Sequence, residues 1–168
     1  LHAHQQQERP ASQPDADPAR IVAAGHSMGG GAALLAATRH TGIVAAVGIA
    51  ALDTRPSMRP ALLRLPTPVL LVVGSMDSVV PPLRTRELYA ALRGPAAASP
   101  GGRVDAASGD RVDRVTWREL DGAGHCGWLD ASFPRGAFCG GQRLFRSEQV
   151  TATADLVTMW LATTLAEG

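Results

Sequence analysis

Apolar residues occur along this chain in short unbroken runs, each followed by a turn rich in glycine or proline and most of them then by a helical stretch. Ile21-Val22-Ala23-Ala24 predicts a strand over 20–25, the run from Val44 a strand over 43–50, and Pro68-Val69-Leu70-Leu71-Val72-Val73 a strand over 68–74. A fourth strand is predicted over 114–120, and helices over 28–39, 83–93 and 148–166. Strands that are apolar at successive rather than alternate positions suit a sheet covered on both faces, and strands alternating with helices imply parallel pairing. The expected fold class is α/β, an open, doubly wound, mostly parallel sheet with helices on both faces.

Punctuation along the chain sets the domain organisation. Pro10, Pro14 and Pro18 lie in a polar connection that cannot continue a helix, whereas Leu1 to Arg9 reads as the tail of one. Residues 1–18 are therefore expected to be a helix tail and linker, and residues 19–168 one α/β domain. Within it, residues 94–113 are small, polar and without period, which marks a surface insertion. A passive loop and a lid or partner contact are both open readings of that insertion.

The turn between the first strand and the first helix carries the chemistry. Gly25-His26-Ser27-Met28-Gly29-Gly30 follows an apolar run and precedes Ala32-Ala33-Leu34-Leu35-Ala36-Ala37, the setting of a nucleophile elbow. A serine hydroxyl is a poor nucleophile unless presented to a base, and a sharp strand-to-helix turn presents it. Ser27 is the candidate nucleophile, and a Cβ at Gly25 or Gly29 is expected to crowd it. Ligands of open α/β sheets sit at the carboxyl ends of strands. Asp53, Asp77 and His125 come just after the second, third and fourth strands.

His125 is the candidate general base and Asp77 the carboxylate that orients it, giving the chain order Ser, Asp, His. Asp53 also ends a strand and is the rival acid. His26 is read as a packing or substrate-edge residue, because neighbouring side chains on a tight turn cannot readily face each other. His2, His4 and His40 read as solvated.

Composition narrows the function classes. A net charge of +1 and no basic run interleaved with aromatics give no reason to expect nucleic acid. The apolar runs are too short to span a bilayer, and the first residues are not a charged-then-apolar leader. No His-x3-His or Cys-x2-Cys pattern suggests a metal, and no cofactor is implied.

Three motifs, Gly-His-Ser-Met-Gly-Gly at 25–30, Gly-Ser-Met-Asp at 74–77 and Gly-Ala-Gly-His at 122–125, resemble the carboxyl-terminal half of an α/β-hydrolase over about residues 19–168. The likeness is to the dienelactone-hydrolase-like and carboxylesterase branch, with its chlorophyllase- and cutinase-like esterases. It implies a serine hydrolase that cleaves carboxylic esters of small molecules through an acyl-enzyme, with the Met28 amide in the oxyanion hole. The family's second oxyanion donor comes from a loop near the start of the sheet, and no His-Gly-Gly segment stands upstream of Ser27. The expectation is a hydrolase fold lacking its N-terminal strands, a fragment with a well-formed triad but weak activity alone. An open apolar edge beside the Ser27 strand would favour self-association. A non-catalytic binding module is one alternative, and acyltransferase or peptidase chemistry on the same triad another.

Cys126 and Cys139 bracket the loop after the base. A disulfide there would be worth about 3 kcal/mol by chain entropy and would point to an oxidising compartment; two free thiols are equally allowed. Trp128 stands in the same loop, and together with His26 it either lines a substrate pocket or packs the loop.

Overall fold

The computed structural model describes residues 17, 19–63, 65–93, 114–129 and 141–166. The expected helix tail at Leu1 to Arg9, almost all of the linker, and the insertion 94–113 lie outside the described residues. Among the described residues four strands form one sheet: β1 (Ile21–His26), β2 (Ile43–Ile49), β3 (Val69–Gly74) and β4 (Val115–Leu120). They lie side by side in sequence order, and every pairing is parallel.

That order fixes where the helices go. Right-handed crossovers that step the same way across a sheet must all pass over one face. The connections α1 (Met28–Ala37), α2 (Arg59–Leu62) and α3 (Pro82–Arg93) share a core with one set of strand side chains. Leu34, Met58, Leu62, Leu88 and Leu92 pack there with Ala46, Val69 and Leu71. The alternate residues Val47, Leu70 and Val72 point the other way and meet Leu156, Val157 and Trp160 of α4 (Arg146–Ala166). Helices thus cover both faces, and β3 is buried at every position. Burying one such Leu or Val contributes about 1.5–3 kcal/mol.

Element boundaries differ from the sequence reading where local hydrogen bonds intervene. Helix α1 stops at Ala37 because the Thr38 N–H and hydroxyl both donate to the Leu35 carbonyl, at 3.2 and 2.7 Å. Helix α4 starts two residues early because Glu148, in its first turn, reaches back to the Phe145 N–H at 2.9 Å. The single turn of α2 lies between two predicted strands, in a stretch where no helix is expected. It forms because Asp53 accepts from the Met58 N–H at 3.0 Å while the Met58 side chain is drawn fully under the sheet. Strand β4 departs from the apolar-run pattern: Val-Thr-Trp-Arg-Glu-Leu carries two adjacent charged residues, exposed Arg118 and Glu119, and none of its positions is fully buried, as befits a strand that pairs on one side only among the described residues.

Candidate active site

Ser27 occupies the turn between β1 and α1 with φ 57° and ψ −120°. A non-glycine residue in this left-handed region costs about 1–3 kcal/mol and persists only when its surroundings hold it. Here the Ser27 N–H donates to the Ile49 carbonyl at 2.9 Å, and the Ser27 carbonyl accepts from Gly31 and Leu52 at 3.2 and 3.0 Å. The turn brings β1 close to α1, so a Cβ on Gly25 would fall on the Gly29 carbonyl. Gly29 itself corrects the expectation of crowding there: a Cβ on it would meet nothing within 4 Å. The other tight glycines are Gly30, against the Gly25 carbonyl and Ala51, and Gly31, against the Leu52 carbonyl.

A serine at a helix N-cap ordinarily turns its hydroxyl to the first-turn amides, a bond worth about 1 kcal/mol. Ser27 makes no such bond. Its Oγ lies instead 3.0 Å from His125 Nε2. His125 stands in a short 3-10 turn (His125–Trp128) after β4, is 8% exposed, and its Nδ1 lies 2.8 Å from Asp77 Oδ2. With Asp77 accepting, Nδ1 carries the proton and Nε2 accepts from the serine hydroxyl. Asp77, buried, follows β3, and its other oxygen accepts from the Val79 and Val80 N–H groups at 2.9 and 2.7 Å. A buried carboxylate is costly unless its oxygens are hydrogen-bonded. These three bonds meet that need, so Asp77 caps its own turn and holds the imidazole at once.

The other sequence candidates fall elsewhere. Asp53 accepts from Ser57 Oγ at 2.7 Å and pairs with Arg59 at 3.3 Å, serving the α2 turn rather than His125. The His26 ring lies 4.5 Å from the His125 ring and 5.5 Å from that of Trp128, centroid to centroid. Burial, with the neighbouring His125, lowers its imidazole from 6.5 to about 4, and its buried Nε2 has no hydrogen-bond partner. Trp128 packs on the α4 side of the sheet and donates its indole N–H to Thr153 Oγ1 at 2.9 Å. Met28 opens α1, so its N–H is one of the four that a helix leaves without an intrahelical partner, while its side chain is 77% exposed. Cys126 is disulfide-bonded, which removes the free-thiol reading; Cys139 lies outside the described residues.

A family model described as PETase, PET hydrolase-like, matches residues 2–95. The chain belongs to the PET hydrolase-like family. The resemblance seen in the sequence holds at the level of the α/β-hydrolase superfamily. No curated protein matches. Among solved structures, a protein from Thermoplasma acidophilum described as a predicted CIB-like hydrolase superposes with a TM-score of 0.54 at 19% identity, covering 83% of this chain and 51% of that one. Est1E from Butyrivibrio proteoclasticus matches with a TM-score of 0.49 at 14% identity, covering 83% of this chain and 60% of that one. The esterase domain of a Rhodothermus marinus protein matches with a TM-score of 0.45 at 20% identity, covering 64% and 52%. This chain therefore spans about half the length of the solved structures it matches.

In this PET hydrolase-like chain a cavity of about 470 Å³ lies between the segments that follow β2 and β3, and none of Ser27, Asp77 and His125 lines it. Leu52, whose N–H bonds the Ser27 carbonyl, and Val79 and Val80, whose N–H groups hold Asp77, are among its lining residues. Arg59 and Arg84 also line it, each ion-paired to Glu87. Among the described residues no cluster of His, Cys, Asp or Glu is arranged to hold a metal ion, and no helix is long and apolar enough to cross a membrane. Two buried residues of α4, Gln149 and Thr153, went unnoticed in the sequence. Their signal was polar residues spaced i, i+4 in line with the apolar Leu156 and Val157 of the same helix.

Proposed function

We propose that this PET hydrolase-like protein is a serine hydrolase that cleaves carboxylic esters through an acyl-enzyme. Ser27 is the nucleophile, His125 the general base and Asp77 the carboxylate that orients it. The observation that carries this reading is one unbroken hydrogen-bonded relay, Ser27 Oγ to His125 Nε2 at 3.0 Å and His125 Nδ1 to Asp77 Oδ2 at 2.8 Å, with the serine on a left-handed turn. The family description, PET hydrolase-like, supports an ester as substrate.

Each residue has a derived task. As Ser27 Oγ attacks the ester carbonyl carbon, its proton passes to His125 Nε2, and Asp77 stabilises the imidazolium that forms. Negative charge gathers on the carbonyl oxygen, where the Met28 N–H at the start of α1 donates. His125 then gives its proton to the departing alkoxide, the C–O bond breaks, and the acyl group remains on Ser27. Water attacks the acyl-enzyme with His125 again as base, releasing the acid and restoring the serine.

Labelling with a fluorophosphonate probe tests the reading, because the probe needs an activated serine but no particular substrate. Labelling of the wild-type chain and its loss in Ser27→Ala are expected. A folded wild-type chain that takes up no probe would sink the assignment and leave a binding module.

A further inference from the structure

We infer that Gln149 is a positioning residue for the base, acting on His125 through the backbone of Gly124. The inference rests on His125 being that base. Gln149 closes the first turn of α4 and is fully buried. Its Oε1 accepts from the Gly124 N–H at 3.0 Å, and its Nε2 donates to the Gly124 carbonyl at 2.7 Å. One side-chain amide thus grips both polar groups of a single residue, and that residue's carbonyl belongs to the peptide bond leading into His125.

The grip falls where the local backbone has least hold of its own. Gly124 caps the 3-10 turn in an extended conformation and has no side chain to make a capping bond. Besides Gln149, its carbonyl receives the Gly127 N–H at 3.2 Å, the one bond that closes the turn at this end. Gly127 is pressed so close to Gln149 that an added Cβ would overlap the side-chain amide. One helical turn further on, Thr153 donates to the Gln149 carbonyl at 2.7 Å and accepts from Trp128 at the far end of the same turn. Helix α4 therefore clamps the four-residue turn at its beginning and its end, with His125 between the two.

A neutral amide suits this place. It supplies a donor and an acceptor together without adding charge beside the buried His125–Asp77 pair, which a carboxylate or a cation would do. Removing it leaves the buried N–H of Gly124 without its acceptor and frees the His125 backbone to rotate. A shift of about 1 Å in a reacting group can slow chemistry about 100-fold.

Two readouts of the full chain test this. One is the rate of fluorophosphonate labelling, and the other is the far-downfield proton resonance of His125 Nδ1–H in its bond to Asp77. Gln149→Met, of similar length without hydrogen bonds, is expected to label at least about tenfold more slowly and to broaden or lose the resonance, while still melting cooperatively above the assay temperature. Wild-type labelling rate with an unchanged resonance would reduce Gln149 to packing and overturn the inference. If Gln149→Met does not fold, the same readouts on Gln149→Asn, which withdraws the amide by one methylene, decide. A wild-type chain that fails to label refutes the proposed function, and the resonance alone then judges Gln149.

Discussion

The strand that carries Ser27 and the strand that leads to Asp77 are built differently, although both end at the same site. Strand β3 is buried at all six positions and flanked by β2 and β4. Strand β1 lies at the edge of the described sheet, none of its positions is fully buried, and Ile21 is 48% exposed. The acid and base are held by burial and by paired polar atoms. The serine is held by backbone bonds to Ile49, Gly31 and Leu52 and by glycines too close for a Cβ. The difference teaches that a site can be fixed by packing on one side and by backbone geometry on the other, and each side should break in its own way.

The largest contrast lies between two carboxylates that both follow strands. Asp77→Asn keeps the shape but removes the charge facing His125 Nδ1 and lets an amide donor turn toward it, so a fall of about 10⁴-fold in the rate of serine labelling is expected. Asp53→Asn disturbs only the α2 turn, where the amide oxygen can still accept from the Met58 N–H while the Ser57 and Arg59 contacts weaken, and the rate should stay within about threefold. Comparable losses from both substitutions would end the assignment of Asp77 as the orienting acid.

Next in size is the pair of glycines around the serine. Gly25→Ala places a methyl on the Gly29 carbonyl, backbone against backbone with no rotamer to relieve it, and should destabilise the protein by more than about 3 kcal/mol in urea unfolding. Gly29→Ala enters open space inside α1 and should stabilise by about 0.5–1 kcal/mol. Equal penalties would mean that the elbow is not held by close backbone approach.

The fold and the three relay residues were legible in the sequence because both rest on short-range signals. Buried parallel strands such as Val69–Gly74 leave unbroken apolar runs, and Ser27, Asp77 and His125 each follow a strand in glycine-bearing turns. The crowding at Gly30 and Gly31 in place of Gly29 was not legible, since it depends on how the turn closes on the Gly25 carbonyl and on where Ala51 and Leu52 of a different segment come to lie. Gln149 was hidden for the same reason. Its place in line with Leu156 and Val157 marks it for the buried face, but its partner Gly124 is 25 residues away and no local pattern names it. Asp77 serving as turn cap and imidazole partner together was also out of reach, because sequence patterns treat these roles as rivals.

His26 sits on the seam between the two regions, on β1 by sequence but with its ring tilted against that of His125, and gives the smallest effect. Its imidazole titrates at about 4 in the folded chain against 6.5 in an unfolded one, chiefly because burial disfavours the charged ring. Between those values the unfolded state binds the extra proton. Stability from this group is therefore complete above pH 6.5 and is lost as pH falls toward 4. Discounted for the ring's partial exposure, the loss is about 1–2 kcal/mol, or about 3–6 °C in melting temperature between pH 7 and 4.5. His26→Phe keeps a ring against His125 and Trp128, removes the buried unpartnered Nε2, and should melt with a pH dependence shallower by that amount. Identical pH profiles for the two proteins would show that the ring takes up its proton freely in the folded state, and the seam would then belong to the exposed side of the comparison.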